Sequence, residues 1–292
     1  MRLVFIHGIA QQDFEADALE ADWTAWLRQG MSDPSLLNGT DIKLAYYAKD
    51  LDRLTDNHRL FGIIPMGDDQ HPSDEDLAMK EAMNEIAEAE GLTNPQIAAK
   101  ERELDTTVVP QGWIPMSRRI NAILRLLEAK SPLHGAFAQM LVKQAYEYLR
   151  HADVREAIDG IVKPELTKGR MVLVTHSLGT VVGFRLLREL AKEGNPVDCP
   201  LLVTMGSPLG MRAVSSRVQP PFEIPEGVGR WINAFDPADA VTLGKPLDAS
   251  TFCKGICNFA DVDNGGEDSP HAARGYLRHR QTVDAITVAL GT

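Results

Sequence analysis

The sequence contains little cysteine, and this limits the kinds of fold that it can form. Its 292 residues include three cysteines, Cys199, Cys253 and Cys257. An odd and sparse set does not make a disulfide framework, and no further Cys or His lies at the spacing of a zinc site. We therefore expect buried thiols, a reducing cytoplasmic compartment, no metal and no other cofactor.

Long apolar runs and basic residues are also scarce. No segment has about 18 consecutive apolar residues, the length that a membrane span needs. The net charge of −11 disfavours a nucleic-acid partner, because phosphate binding needs clustered Lys and Arg. The apolar run at residues 2–6 is too short for a signal peptide and is typical of a strand. We expect neither stable membrane insertion nor nucleic-acid binding.

The sequence does contain short β-branched and apolar runs, each followed by turn residues and then by helical periodicity. These runs cover residues 2–6, 42–47, 171–176, 201–205, 231–235 and 255–260. Strands that alternate with helices form mostly parallel sheets with helices on both faces. The sequence therefore predicts an α/β fold with about six strands, built as one domain over residues 1–292.

Residues 50–165 contain no convincing buried strand and form a large insertion between the second and third strands. Its acidic part, residues 74–105, has ten acidic and three basic residues, which predicts a solvated helical segment. After a capping residue at Ser117, apolar positions recur at helical spacing near 120–127, 137–148 and 154–162. We expect these helices to form a cap, or lid, over the site.

Ser177 lies where an apolar strand passes directly into a helix, in the stretch Thr175-His176-Ser177-Leu178-Gly179. A sharp turn of this kind places a serine hydroxyl at the carboxyl edge of a sheet, with the following N–H groups directed at it. The hydroxyl is a poor nucleophile unless a base accepts its proton and a third group orients that base. Ser177 is thus the candidate nucleophile.

The acid and the base are expected downstream, in the order Ser, Asp, His. Two acids follow the fifth strand, and Asp239 is favoured over the alternative Asp236, which is typical of a residue that caps a turn before proline. His271 follows the last strand in a loop rich in Gly, Asp and Pro. Its position relative to Ser177 and Asp239 makes it the candidate base.

Acyl transfer also needs two donors for the oxyanion that develops on the carbonyl oxygen. The N–H of Leu178 at the head of a helix is one candidate, and the N–H of Ile9, after His7-Gly8 at the end of the first strand, is the other. A second interpretation of this loop is a plain turn in which Gly8 supplies a positive φ.

Five segments in this order resemble the α/β-hydrolase superfamily, and within it the lipase- and esterase-like bacterial serine hydrolases. They are Phe5-Ile6-His7-Gly8-Ile9, the stretch around Ser177, Gly206-Ser207-Pro208, residues 236–241, and His271 with Gly275-Tyr276-Leu277 behind it. The resemblance implies an α/β-hydrolase fold without the family's first two strands. It also implies a triad of Ser177, Asp239 and His271, with Ile9 and Leu178 as oxyanion donors. Thr175 stands where the family has its first elbow glycine.

The leading hypothesis is an enzyme, a serine hydrolase that cleaves a small-molecule carboxylic ester or related acyl substrate through an acyl-enzyme. A peptidase, amidase or thioesterase with the same triad is the first alternative, since the acyl-enzyme chemistry is shared. The second alternative, from another class, is a non-catalytic protein of this fold that binds a ligand in the same pocket.

Overall fold

The computed structural model describes residues 1–60, 73–104, 118–130, 134–264 and 269–291. Within these ranges the strands are β1 (Arg2–Ile6), β2 (Asp41–Ala45), β3 (Met171–His176), β4 (Cys199–Met205), β5 (Val228–Ala234) and β6 (Cys257–Phe259). The helices are α1 (Ala16–Gly30), α2 (Ala48–Leu60), α3 (Asp74–Ala89), α4 (Asn94–Leu104), α5 (Arg118–Lys130), α6 (His134–Arg150), α7 (Ala152–Leu166), α8 (Leu178–Lys192), α9 (Arg212–Val218), α10 (Ala273–Arg278) and α11 (Arg280–Leu290). The predicted strands agree with these to within three residues.

The six strands form one sheet in the order β2-β1-β3-β4-β5-β6, and every neighbouring pair is parallel. The α/β class and the parallel six-stranded sheet that the sequence predicts are thereby confirmed. Because all strands run in one direction, the residues that follow them gather at a single edge. This edge receives Gly8 after β1, Ser177 after β3 and Asp236 after β5.

Alternating side chains of each strand divide the core between the two faces of the sheet. In β1, Val4 and Ile6 belong to the core that α8 and the inserted helices, including α7, cover. Leu3 and Phe5 point to the other face, which α1, α10 and α11 cover. The helix after β1 and the helix after β3 therefore lie on opposite faces, and the chain leaves a crevice between the ends of these two strands.

The insertion between β2 and β3 is helical in every described part, and residues 46–60, 73–104, 118–130 and 134–170 contain no strand. The acidic part is helical, as predicted, but α3 is solvated on one face only. One face of α3 is buried in the core, through Ala78, Met79, Ala82, Met83, Ile86 and Ala87. The acidic residues lie on the remaining face, so the periodicity within the segment, and not its net charge, determined how it packs. The predicted cap at Ser117 lies outside the described residues.

The three cysteines are free, as far as the described side chains extend. Cys199 and Cys253 are buried as predicted, whereas Cys257 is half-exposed because it lies in the short edge strand β6. Among the described helices, none has the length and apolar character that crossing a bilayer requires.

Candidate active site

Ser177 lies on a strained turn between β3 and α8. Its backbone has φ 55° and ψ −128°, a conformation that L-residues seldom adopt and that tertiary packing must enforce. Its N–H donates to the carbonyl of Met205 in β4 at 3.0 Å, and its carbonyl accepts from the Thr180 hydroxyl at 2.7 Å. The turn is thus fixed from both sides, and Ser177 Oγ faces the carboxyl edge of the sheet.

Two glycines make room for this turn. A Cβ on Gly179 would lie 2.4 Å from the carbonyl oxygens of Ile6 and His7, so the first turn of α8 packs directly on the end of β1. A Cβ on Gly8 would lie 2.5 Å from Ser177 Cβ and 3.0 Å from Ser177 Oγ. Gly8 does not have a positive φ, so the second interpretation of the His7-Gly8 turn was wrong in its cause. Close approach to the serine is what requires a glycine there.

Thr175 stands two residues before Ser177, where the resemblance implies a glycine. Its side chain is fully buried, and its hydroxyl donates to the carbonyl of Val203 at 3.0 Å. Its methyl group faces Gly183 in α8, where a Cβ would lie 3.1 Å from Thr175 Cγ2. The threonine in β3 is therefore accommodated by a glycine in α8, eight residues further along the chain.

Asp239 and His271 form a buried hydrogen-bonded pair. His271 Nδ1 donates to Asp239 Oδ2 at 2.7 Å, and both side chains are nearly inaccessible to solvent. The other carboxylate oxygen, Oδ1, accepts from the N–H of Val241 at 3.0 Å. This arrangement directs His271 Nε2 away from the acid. His271 Nε2 and Ser177 Oγ are both buried, and neither has a hydrogen-bond partner among the residues that the structure describes.

Asp236, the alternative acid, contacts backbone instead of histidine. Its Oδ1 accepts from the N–H of Ala238 at 2.8 Å. This is the turn cap that the sequence predicts for the aspartate that does not orient the base. Its Oδ2 accepts from the N–H of Asn264 at 2.8 Å, and the Asn264 side-chain amide donates to the carbonyl of Pro270 at 2.9 Å. Asp236 thus anchors the loop that carries His271.

Two further histidines beside Ser177 are buried and neutral. Burial lowers the pKa of His7 to about 4, against a smaller opposing effect of its hydrogen bond to Gly8. His7 Nδ1 donates to the Gly8 carbonyl at 2.7 Å, and Nε2 accepts from the N–H of Tyr47 at 3.0 Å. Burial, followed by repulsion from His271, lowers the pKa of His176 well below its ordinary value. His176 Nε2 donates to the carbonyl of His271 at 2.9 Å.

The two candidate oxyanion donors come from segments that adjoin the serine. Leu178 is the first residue of α8, so its N–H has no partner inside the helix. Ile9 directly follows Gly8 and lines the same cavity as Ser177. The peptide that joins Gly8 to Ile9 is oriented by His7, because the His7 ring binds the carbonyl of that peptide. An oxyanion role for both N–H groups stays a prediction.

A cavity of about 610 Å³ opens over Ser177, Asp239 and His271. Its remaining wall is mostly apolar and comes from two helices on opposite sides. The stretch from Ile9 to α1 contributes Ile9, Phe14, Leu19, Trp23 and Trp26, and α6 of the insertion contributes Phe137, Ala138 and Met140. The Phe137 ring centroid lies 5.0 Å from that of His271. Outside the catalytic candidates, the polar residues of the wall are Gln11, His176, Ser269 and Arg274.

Tyr276 is a site residue to which the sequence interpretation gave no role. It lies in α10, is fully buried, and its hydroxyl donates to Asp239 Oδ2 at 2.7 Å. A tyrosine five positions after the candidate base was the available signal in the sequence. Within the described residues, no three His, Cys, Asp or Glu side chains are grouped so that they could hold a metal ion.

Comparison with known proteins identifies no relative. No family model matches the chain, and no curated protein and no solved structure matches it.

Proposed function

We propose that this chain is a serine hydrolase of the α/β-hydrolase superfamily, lipase- or esterase-like, which cleaves carboxylic esters through an acyl-enzyme. One observation carries the proposal. A serine on a strained strand-to-helix turn shares a cavity with a histidine whose Nδ1 is held by a buried aspartate at 2.7 Å. A shortened sheet that begins at the family's His-Gly strand is part of the same proposal.

In the acylation step, Ser177 Oγ attacks the ester carbonyl and His271 Nε2 accepts the hydroxyl proton. Asp239 keeps the imidazole in the tautomer that exposes Nε2 and stabilises the imidazolium that forms. The N–H groups of Ile9 and Leu178 bind the oxyanion of the tetrahedral intermediate. Collapse of the intermediate breaks the bond to the alcohol oxygen, which leaves with the proton from His271.

In the deacylation step, His271 Nε2 accepts a proton from water as that water attacks the acyl carbonyl. The second tetrahedral intermediate collapses to release the carboxylic acid and returns the proton to Ser177 Oγ. The same three side chains serve both steps, so loss of the serine removes both.

The apolar cavity favours a small-molecule ester over a peptide. A peptide substrate brings a series of N–H and C=O groups, each of which is costly to bury without a partner. The cavity wall contributes few polar side chains, and aromatic and aliphatic residues make up most of it. An ester with an apolar acyl group places one polar group beside Ser177 and apolar atoms elsewhere, which fits this wall.

Replacing Ser177 with Ala tests the proposal. The parent protein should hydrolyse nitrophenyl esters and form a covalent adduct with a fluorophosphonate probe, whereas Ser177→Ala should lose at least about a thousandfold in turnover. Ser215→Ala is the matched control, because Ser215 is a buried serine of α9 that does not line the cavity. Ester turnover that survives in Ser177→Ala, or a parent protein that neither turns over nor labels, would contradict the proposal.

A further inference from the structure

The Tyr276 hydroxyl lies between the two aspartates that follow β5. It accepts a hydrogen bond from the N–H of Asp236 at 3.1 Å and donates one to Asp239 Oδ2 at 2.7 Å. His271 Nδ1 donates to that same Oδ2, also at 2.7 Å. One carboxylate oxygen of the candidate triad is therefore shared by the candidate base and a tyrosine.

The direction of these hydrogen bonds is determined by chemistry. A backbone N–H can only donate, so the Tyr276 oxygen accepts from Asp236, and its single proton is left for Asp239. Burial and the neighbouring Asp239 charge raise the pKa of Tyr276 well above its ordinary value, so the hydroxyl keeps its proton at neutral pH. Asp239 Oδ2 thus has two donors, and each one withdraws negative charge from it.

Other groups also lie around the pair, and the Val241 N–H donates to the second carboxylate oxygen, Oδ1. Among the described residues, the titratable and charged side chains near His271 or Asp239 are His176 at the end of β3, Asp236 after β5, and Arg274 in α10, which lines the same cavity. His176 is neutral and binds the His271 carbonyl, and Asp236 is engaged with the N–H groups of Ala238 and Asn264. From α6 the neighbour is Phe137, which does not titrate.

We propose that Tyr276 is a positioning residue that holds Asp239 in place and, by donating to Oδ2, weakens the hydrogen bond that Asp239 accepts from His271. The inference rests on the proposed function. A second donor on Oδ2 draws negative charge away from the hydrogen bond with His271 Nδ1, so removing that donor should strengthen the attraction between the carboxylate and the imidazole.

Replacing Tyr276 with Phe removes the donor and retains the ring. The acid limb of the pH profile of kcat/KM for a nitrophenyl ester should then move to higher pH by about half a unit or more, with kcat reduced and KM little changed. Incorporation of 3-fluorotyrosine at position 276 alone makes the hydroxyl a stronger donor. This variant should move the acid limb in the opposite direction. Because it keeps the tyrosine hydroxyl, it tests the proposal even if Tyr276→Phe is unstable.

Tyr148→Phe is the matched control. The Tyr148 hydroxyl accepts from Arg185 Nε and donates to Asp159 Oδ1, both at 2.8 Å, but it lies outside the cavity. Its loss should reduce stability and leave the pH profile unchanged. An acid limb at the same pH in the parent and in Tyr276→Phe, or a shift of equal sign in both Tyr276 variants, overturns the inference and leaves the hydrolase proposal standing. A parent protein that neither hydrolyses the ester nor reacts with the fluorophosphonate probe contradicts both the hydrolase proposal and the role of Tyr276.

Discussion

At the scale of single residues, buried histidines connect the site to the stability of the molecule. His7 joins the ends of β1 and β2, since its ring contacts the N–H of Tyr47 and its carbonyl accepts from the Tyr47 hydroxyl. The ring also stacks on Tyr47, with centroids 4.1 Å apart. Protonation would place a charge in this apolar contact and remove the acceptor at Nε2, which is why burial keeps the ring neutral.

We predict that acid weakens the fold through His7. Its folded pKa of about 4 lies below the unfolded value of 6.5, so between these values the unfolded chain binds a proton that the folded chain does not. The free energy of unfolding should fall as the pH drops from 6.5 to 4, by up to about 3 kcal/mol from this residue, and His176 acts in the same direction.

Urea unfolding at several pH values measures this effect. His7→Asn removes the titrating group, so the variant should be less stable at pH 8 but should lose less stability on acidification than the parent. The quantity compared is the slope of the free energy of unfolding against pH in the parent and in the variant. This slope does not depend on how much stability the substitution itself removes. Equal slopes in parent and variant would show that His7 does not contribute.

At the scale of elements, α6 links the insertion to the site. Its residues Phe137, Ala138 and Met140 line the cavity, while Leu141 and Ala145 are buried in the core. Because Met140 is only half-buried and borders the cavity, a larger side chain there can occupy cavity volume without overpacking the core. This helix is therefore expected to set the size of the acyl group.

We predict that Met140→Trp shortens the acyl chain that the protein accepts. In the parent, kcat/KM should rise about threefold to fourfold with each methylene of a nitrophenyl ester until the cavity is filled. In the variant, turnover of the nitrophenyl octanoate ester should fall about tenfold or more, and turnover of the acetate ester should be little affected. Val288→Trp, at an exposed position of α11, is the control and should retain the parent profile. An unchanged chain-length profile in Met140→Trp would contradict this role.

At the scale of the whole molecule, Arg217 attaches the insertion to the sheet domain. It lies in α9 with 12% of its side chain exposed, and its guanidinium contacts Asp74 Oδ1 at 3.2 Å and Glu81 Oε2 at 3.4 Å in α3. It also lies over the Tyr146 ring of α6 at 5.9 Å. The acidic face of α3 is thus used in part to bind this cation.

We predict that Arg217→Met lowers the free energy of unfolding by about 1–2 kcal/mol, because it removes the contacts of a mostly buried guanidinium with Glu81 and Asp74, although Asp74 keeps Arg150 at 3.2 Å. Arg280→Met removes an ion pair to Asp284 at 3.8 Å from an arginine that is 91% exposed, and should change stability by less than about 0.5 kcal/mol. Chemical denaturation of both variants checks the difference. Equal effects would mean that the Arg217 contacts contribute no more than an ordinary surface pair.

The sequence by itself was sufficient for the elements of the fold and for the order of the candidate site residues. Apolar runs of strand length and apolar positions of helical period depend on local chemistry, so they predicted the parallel sheet and the helices α5 to α7. The same local signals located Ser177 at a strand-to-helix turn, and Asp239 and His271 in loops at the carboxyl edge.

Only the tertiary structure decided which side chains meet. Asp236 and Asp239 are three residues apart in one loop, and their different partners depend on how the loop after β6 folds back over them. Tyr276 contacts Asp239 from a helix 37 positions away in the sequence. One face of α3 is buried, although the net charge of the segment predicted a solvated helix. Such contacts join distant parts of the chain, and their geometry follows from the packing of the whole molecule, which no local pattern encodes.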